Sequence, residues 1–245
     1  MKIDLDFVEE VFYFKEVSST NDVALENYRK KEFTLFIAEN QYKGRGREHR
    51  EWFSPPKQNL YFSFILKPCV NRKYFTSIPL YAAYAVFKTI KQYISPDKTI
   101  NIKWPNDILV NKKKISGILI ETKEDAVIAG VGINVNSKSF PVFEKNTPTS
   151  LFLETGKKFA RKEILKTFLV NFKNCYEKFL EKKKLTEDIL ELINDALFLR
   201  NAYVEISFKD TLSKRGKIIS VTPEGFLQLD TFTAVAGDVF KLKCL

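Results

Sequence analysis

The sequence predicts an α+β fold, with a largely antiparallel sheet backed by helices and a small β-barrel after it. Short runs rich in β-branched and aromatic residues recur between residues 11 and 136, and polar turns separate them, which is typical of strands. Longer stretches carry apolar residues at three- and four-residue spacing and predict helices. From about residue 200 the runs become short and the turn signals regular, as in small barrels.

The strands and helices follow in chain order. After a first strand, a Ser or Thr of "SSTN" (18–21) can cap the next helix, and the free backbone N–H groups there suit an anion or a carbonyl. The runs between residues 99 and 136 have short polar connections, so we expect successive antiparallel pairing. Strands are predicted at 11–17, 33–39, 59–66, 99–110, 115–122 and 126–136, and helices after residue 21, at 77–94 and twice within 160–198.

A change of pattern at residues 199–202 marks the predicted domain boundary. Before it lie two helix-like stretches rich in Lys, Glu and Leu, and after it come "YVEISF", "KRGKIISV", "GFLQLD" and "DVFKLK". We therefore expect one domain over residues 1–199 and a small β domain over residues 200–245.

Composition places the chain among globular proteins. Apolar residues make up 44% of the 245 residues and charged ones 29%, enough to bury a core. The first residues lack the order of a signal peptide, and no apolar run approaches the roughly 20 residues that span a bilayer. Cys69, Cys175 and Cys244 form neither a disulfide framework nor a CxxC clamp. We expect a soluble cytoplasmic protein that does not enter a membrane.

The formal net charge of +10 allows several interpretations. A basic nucleic-acid-binding module is one, and a surface that attracts an acidic protein partner is another. The lysines are spread along the whole chain, which favours ordinary solvated surface. Charge alone does not decide among these functions.

One loop, "NQYKGRGREHREWFSP" (40–55), concentrates residue types that are scarce elsewhere. Three of only eight arginines lie within six residues of one another, beside Trp52 and the single histidine, His49. Two glycines let the backbone turn and approach a ligand, and guanidinium groups match phosphate or carboxylate. The Walker pattern GxxxxGKS/T and the third glycine of a dinucleotide fingerprint are absent. The loop therefore predicts anion binding of another kind.

Three weaker motifs lie at predicted strand ends or within strands: "KWPND" (103–107), "KKISG" (113–117) and "GVGIN" (130–134). Each alone fits a turn or an ordinary strand, but glycines within strands leave room for a ligand. One histidine cannot supply a Ser–His–Asp set or a zinc ligand set. Chemistry would then depend on Arg, Lys, Asp and Asn, which suits transfer at a phosphate or acyl-phosphate.

Taken together and in order, "SSTN", QxxGRGRxxRxW, "NLYFSF", "KWPNDI", "KKISGILIE" and GxGINVN closely resemble biotin protein ligase. The resemblance runs from about residue 11 to 136, and the C-terminal strands fit the family's small SH3-like domain. It implies a mixed, largely antiparallel sheet and a two-step reaction that uses biotin, ATP and Mg²⁺. Biotin and ATP would give biotinyl-5′-adenylate, and a lysine of a biotin carboxyl carrier protein would then take the biotinyl group.

The resemblance also implies roles for residues at matching positions. The arginine loop would close over the adenylate, Trp52 would pack against adenine, and Lys114 would bridge the biotin carboxyl group and the α-phosphate. Catalytic residues would be Lys114, Arg45, Arg47, Lys103 and Asp107. The biotin site would comprise Ser19, Thr20, Asn21, Gln41, Gly44, Arg45, Gly46, Arg47, Tyr61, Ser63, Lys114, Gly117, Gly130 and Gly132. ATP would be bound by Arg45, Arg47, Trp52, Lys103, Asn106 and Asn134, with Mg²⁺ brought by ATP near Asn106 and Asn134.

The sequence departs from the family pattern where His49 replaces the usual loop glycine. Many relatives carry an N-terminal helix-turn-helix, and the motifs here begin close to Met1, so we expect no DNA binding. A homodimer is compatible with the family. Two alternatives stay open: a lipoate- or octanoate-type ligase on the same scaffold, and a non-enzymatic nucleic-acid-binding regulator.

Overall fold

The computed structural model describes residues 3–48, 50–142, 147–208, 212–237 and 239–244. None of the helices within these residues is long and apolar enough to cross a membrane.

Seven strands from the first part of the chain form the main sheet. They are β1 (Val11–Phe14), β2 (Leu35–Ala38), β3 (Leu60–Leu66), β4 (Ile100–Lys103), β5 (Asp107–Val110), β6 (Lys113–Lys123) and β7 (Ala126–Ile133). Their order in the sheet is β1-β2-β3-β7-β6-β5-β4. Strands β1 and β2 pair in parallel and the other neighbours are antiparallel. This confirms the mixed, largely antiparallel sheet that the sequence predicts.

The predicted run at 99–110 forms two strands, with the break at Pro105 that the turn chemistry of "KWPND" favours. A turn at residues 104–106 separates β4 from β5, and the two pair as an antiparallel hairpin. Pro105 has no backbone N–H to donate to a strand ladder. Because it lies in this turn, no ladder hydrogen bond is lost. The turn brings Lys103 and Asp107 directly opposite each other.

Helices cover both faces of the main sheet. They are α1 (Thr20–Glu26), α2 (Ile78–Lys91), α3 (Leu151–Thr155), α4 (Arg161–Lys182) and α5 (Glu187–Asp195), with a 3₁₀ turn at Arg72–Ser77 before α2. The 3₁₀ turn and α3 are not predicted from the sequence. Helix α3 is short but well bounded, because Ser150 caps its N-terminus and Gly156 ends it at φ 72°.

Strand β3 divides the two faces, because its side chains alternate. Phe62 and Phe64 point into the large core, where Phe64 contacts Phe172 of α4 edge to face at 4.9 Å. Ile65 belongs to a smaller core cluster beneath α1. Ser63 follows the same alternation and contacts residues of α1. The α1 face is therefore the one that carries the predicted site residues of β3.

Five further strands form a second sheet at the end of the chain: β8 (Tyr203–Phe208), β9 (Ser213–Val221), β10 (Leu227–Leu229), β11 (Thr233–Ala234) and β12 (Val239–Cys244). The order is β11-β10-β9-β8-β12, and all pairs are antiparallel. Over the described residues no pairing joins β11 to β12, so the sheet is not a closed barrel there. It is consistent with a small SH3-like unit.

The second sheet packs directly against the first part of the chain. The indole N–H of Trp104 donates to the carbonyl of Gly225 at 3.0 Å, and the backbone N–H of Leu185 donates to Pro223 at 2.8 Å. Residues of both sheets belong to one buried core. The predicted boundary at 199–202 falls between α5 and β8.

Candidate active site

A cavity of about 580 Å³ lies on the α1 face of the main sheet, over β3, β7 and β6. This is a typical size for a small-molecule site. Most residues assigned from the family pattern line it, although Gly44, Ser63 and Lys103 do not. The lining includes Ser19, Thr20, Asn21, Gln41, Arg45, Gly46, Arg47, Trp52, Tyr61, Asn106, Asp107, Lys114, Gly117, Gly130, Gly132 and Asn134.

A polar network occupies the end of the cavity near α1. Gln41 Oε1 accepts from the backbone N–H of Thr20 at 2.8 Å and from its hydroxyl at 3.1 Å. The hydroxyl of Ser63 lies 2.7 Å from Thr20 Oγ1 and 2.6 Å from Asn21 Oδ1. Ser19 caps the helix by accepting from the N–H of Asn21. These five residues are three of the "SSTN" motif and their partners in β3 and the loop.

The network has more acceptors than hydroxyl protons. Two hydroxyl protons, from Thr20 and Ser63, serve three oxygen–oxygen contacts, because Gln41 Oε1 and Asn21 Oδ1 can only accept. One acceptor is therefore left for a donor from outside the network. A ligand group with N–H donors beside a carbonyl matches this end of the cavity.

Glycines form the floor of the cavity. Gly117 of β6 and Gly132 of β7 lie directly opposite each other. A Cβ atom at Gly132 would lie 2.4 Å from Trp52 Cε2, and one at Gly117 would lie 2.8 Å from Trp52 Cζ3. A side chain at either position would collide with the Trp52 ring, so these glycines allow the ring to pack closely on the sheet.

Trp52 lies on this glycine floor. Its indole Nε1 is buried without a hydrogen-bond partner, and Lys114 Nζ lies 5.1 Å from the ring centroid, in cation–π range. Buried donors normally have a partner. The unpaired N–H and the covered floor indicate that the ring is placed beside the ligand space rather than fixed in a structural bond.

Lys114 and Asp107 form an ion pair at the other end of the cavity. Lys114 Nζ lies 2.7 Å from Asp107 Oδ1, and the two side chains are 22% and 14% exposed. Asp107 Oδ1 makes no directional hydrogen bond despite this short distance. The backbone of Lys114 is fixed on both sides, since its N–H donates to Thr147 and its carbonyl accepts from Thr149. The amine is thus held on a rigid strand with one carboxylate partner.

Lys103 lies beside this pair, at the end of β4. Burial lowers the pKa of its amine; the charge of Asp107 opposes this shift, and the charges of Lys114 and Arg50 add to it. The site therefore gathers several cations that a polyphosphate would favour.

The lowered pKa of Lys103 gives a testable dependence of stability on pH. The pKa of Lys103 is lower in the folded chain than in the unfolded chain. At pH values between these two pKa values the unfolded chain binds more protons, so the contribution of Lys103 to the free energy of unfolding rises with pH in this range. Lys103→Met should therefore stabilise the protein at neutral pH, and the gain should shrink as the pH rises toward 10.5. Melting temperatures of both proteins across this range test it. A gain that is the same at every pH would contradict it.

The two loop arginines have different partners. Arg45 makes a forked contact with Glu121, at 3.1 Å and 2.8 Å, and its Nη2 also lies 2.7 Å from Asp22 Oδ1. Arg47 donates through Nη2 to the backbone carbonyls of Ala236 at 2.5 Å and Val239 at 3.3 Å. Both arginines line the cavity. The guanidinium of Arg45 contacts α1 and β6, whereas that of Arg47 reaches the second sheet.

The remaining predicted residues have structural contacts. The Asn106 side chain donates to the carbonyl of Ile118 at 2.7 Å, and Asn134 Nδ2 donates to that of Thr149 at 2.9 Å. Tyr61 donates to Pro55 at 2.9 Å. A Cβ atom at Gly44 would lie 2.5 Å from the carbonyl of Trp52, so this glycine allows the loop to pack on itself. His49 lies outside the described residues.

Sequence reasoning did not identify Asp22 and Glu121, although both contact Arg45. The signal for Glu121 was its period-2 spacing from Gly117 along β6, which places both on the same face of the strand. No local signal marked the carbonyls of Ala236 and Val239, since any residue carries one.

The fold and this cavity together define a class of protein ligase. The model described as "Biotin/lipoate A/B protein ligase family" matches residues 13–137, a little over half of the chain, and the chain belongs to this family.

Within the family, the similarities are to biotin ligases. The chain is 36% identical over 181 residues to the bifunctional ligase/repressor BirA of Bacillus subtilis, covering 70% of this chain and 55% of that protein. It is 30% identical over 175 residues to biotin–protein ligase 2 of Arabidopsis thaliana, covering 68% and 52%. The chain thus spans about half the length of the curated relatives it matches.

A solved structure is similar over nearly the whole chain. The biotin protein ligase from Aquifex aeolicus in complex with biotin and ATP superposes with a TM-score of 0.84 at 29% identity, covering 97% of this chain and 100% of that one. The biotin protein ligase from Leishmania major shares the fold, with a TM-score of 0.64 at 21% identity.

Proposed function

We propose that this protein is an ATP-dependent ligase that forms biotinyl-5′-adenylate and transfers the biotinyl group to a lysine of a carboxyl carrier protein. One observation carries the proposal: a single cavity joins an acceptor-rich polar network at one end to the Lys114–Asp107 pair at the other. Similarity to biotin ligases, including one solved with biotin and ATP, supports it.

The polar end of the cavity fits the ureido ring of biotin. That ring offers a carbonyl acceptor and two N–H donors, and the network of Thr20, Asn21, Gln41 and Ser63 lacks one donor. The glycine floor is covered by the Trp52 ring, and the bicyclic ring of biotin and its chain would lie beside that ring. The lipoyl group has no such polar head, so these residues favour biotin over lipoate or octanoate.

The first step joins biotin to the α-phosphate of ATP. A carboxylate oxygen of biotin attacks the α-phosphorus, the bond to the bridging oxygen breaks, and pyrophosphate leaves. Lys114 bridges the carboxylate and the phosphate, because its ammonium can offset negative charge on both. Asp107 holds that ammonium in place. Lys103 and Arg47 supply further positive charge around the nucleotide, whereas Arg45 is held at the α1 end by Glu121 and Asp22. Trp52 offers an aromatic face to adenine.

The second step transfers the biotinyl group. The neutral amine of the carrier lysine attacks the acyl carbon of the mixed anhydride, a C–N bond forms, and AMP leaves as the C–O bond breaks. The attacking nitrogen must lose a proton, and we assign its acceptance to Asp107, a carboxylate at the Lys103 side of the site. Adenylation supplies the leaving group that a free carboxylate lacks.

The donor set fits Mg²⁺ that arrives with ATP. Over the described residues no cluster of three His, Cys, Asp or Glu side chains could hold a metal. Magnesium commonly uses substrate phosphates and few protein ligands. The Nδ2 atom of Asn134 donates to a backbone carbonyl, and its Oδ1 atom accepts only one long hydrogen bond, from Asn59 at 3.4 Å. Oδ1 can therefore accept a further contact. We therefore propose that Asn106 and Asn134 would contact the metal. The metal would neutralise charge on the phosphates.

The acceptor is proposed to be the biotin carrier of a carboxylase. Relatives in Paracoccus denitrificans and Mycobacterium tuberculosis, each 34% identical over about 40% of this chain, are named biotin–acetyl-CoA-carboxylase ligases.

A homodimer is a further proposal. Strand β4 has Leu197 on its outer side, whereas β1 is the other edge of the sheet and could pair with a second copy.

The direct test is incubation with biotin, α-labelled ATP and a carrier domain. We expect biotin-dependent release of pyrophosphate, a labelled adenylate and biotin in amide linkage to one carrier lysine. A parallel reaction with lipoate or octanoate should give none of these. Turnover of lipoate in place of biotin would assign the alternative ligase, and salt-dependent DNA binding with no turnover would assign the regulator.

Arg47→Ala should release the adenylate from the closed site. The substitution removes a guanidinium that lines the cavity and ties the loop to the second sheet through two carbonyls. We expect escape of the adenylate into solvent to accelerate by about tenfold or more, as for the loss of one or two charge-assisted hydrogen bonds. Rapid gel filtration of the loaded enzyme measures retention. Lys43→Ala, an exposed change in the same loop, is the control; equal retention in both variants would refute the closing role.

A further inference from the structure

Glu121 joins two parts of the site that are distant in sequence. It lies near the end of β6 on the same face as Gly117 and Leu119. Its Oε2 accepts from Asn21 Nδ2 at 2.8 Å and from Arg45 Nη2 at 2.8 Å, and its Oε1 accepts from Arg45 Nη1 at 3.1 Å. One carboxylate thus contacts the polar network of α1 and the arginine loop together.

The contact with Glu121 fixes the orientation of the Asn21 amide. Nδ2 is held by Glu121 at 2.8 Å and by the Leu119 carbonyl at 3.3 Å, so Oδ1 must face Ser63, which donates to it at 2.6 Å. A flipped amide would turn its NH₂ group toward the hydroxyl and its oxygen toward a carboxylate. Glu121 therefore decides that Asn21 presents an acceptor to the cavity.

Arg45 is placed by two carboxylates. Glu121 receives both ends of its guanidinium, and Asp22 lies on the α1 side at 2.7 Å. Forked pairs of this kind fix geometry as well as charge. The first arginine of the loop is therefore anchored next to the end of the cavity that we assign to the ureido ring.

We propose that Glu121 is a positioning residue for the biotin head group, acting through the Asn21 amide and through Arg45. This inference rests on the proposed function. Glu121 itself does not line the cavity. Its contacts are with Asn21 and Arg45 rather than with the Lys114–Asp107 pair, so it acts on biotin binding and not on the bond changes at the phosphate.

Glu121→Gln tests this role with little change in shape. One of the two oxygens becomes an NH₂ group, and whichever way the new amide turns, that donor faces Asn21 Nδ2 or Arg45. We expect the KM for biotin to rise about tenfold, in line with the loss of one hydrogen bond to a charged group. The kcat and the KM for ATP should stay within about twofold of wild type. Glu205→Gln, which removes another arginine-paired carboxylate on the second sheet, should leave all three unchanged.

Wild-type turnover is measured first, because it separates the two claims. A wild-type protein without biotin-dependent adenylation would overturn both the proposed function and this inference. An active wild type with an unchanged biotin KM in Glu121→Gln would overturn the inference alone. A fall in kcat together with rises in both KM values would also overturn it, since a general loss of structure acts on every step.

A second variant decides the matter if Glu121→Gln does not fold. Glu121→Asp keeps the charge and withdraws the carboxylate by one methylene, so the same contacts lengthen. Its biotin KM should also rise, with kcat retained. A wild-type biotin KM in that variant would overturn the inference.

Discussion

Lys114→Ala is expected to slow adenylate formation about a thousandfold, as when one preorganised donor is removed from a developing charge. Lys114 is the cation paired with Asp107 inside the cavity, and the fixed backbone of β6 aims it there. The fold should persist, because the side chain lies at the cavity wall rather than in the apolar core. Biotin-dependent pyrophosphate release measures the first step directly.

The neighbouring lysine offers a matched control. Lys113 belongs to the same strand but its side chain is exposed, so Lys113→Ala should turn over like wild type. Lys114→Ala also leaves the carboxylate of Asp107 partly buried without its cation. The double variant Lys114→Ala/Asp107→Asn removes this unpaired charge, so it shows whether adenylation is lost with the lysine itself or with the stability of the fold. Near-normal adenylation in Lys114→Ala would refute the assigned role.

Gly130→Ala is expected to weaken biotin binding by about a hundredfold or more, and to lower stability by about 1–3 kcal/mol, as for overpacking in a filled site. The added Cβ would lie 2.0 Å from Asn21 Oδ1. Asn21 has no free space to yield, because Ser63, Leu119 and Glu121 hold its amide. Calorimetric binding of biotin and thermal unfolding measure the two effects.

A double variant shows whether the clash is with Asn21. Asn21→Ala removes the amide, so in Gly130→Ala/Asn21→Ala the melting temperature should recover while biotin binding stays weak. If the double variant remains as unstable as Gly130→Ala, the clash lies elsewhere. If Gly130→Ala binds biotin like wild type, the slot does not run between β7 and α1.

Much of the site could be predicted because its motifs are local. The cap residues at "SSTN", the glycine-arginine loop and the glycines of β7 each depend on near neighbours in the chain, and the structure brings nearly all of them to one cavity. Short elements gave weaker signals. Helix α3 has five residues, too few to display a helical period, and the sequence did not predict it.

The sequence by itself determined most of the strand and helix pattern, the family and the residue types that reach the cavity. The tertiary structure decided which of them touch. Arg45 lies 76 residues from Glu121 in the chain, and Arg47 lies 189 residues from Ala236. No periodicity or spacing encodes such contacts, because they follow from how β6 and the second sheet pack around the loop. The sequence predicted that the arginines of this loop bind one anion together. In the structure the guanidinium of Arg45 is held beside α1, and that of Arg47 is held at the second sheet.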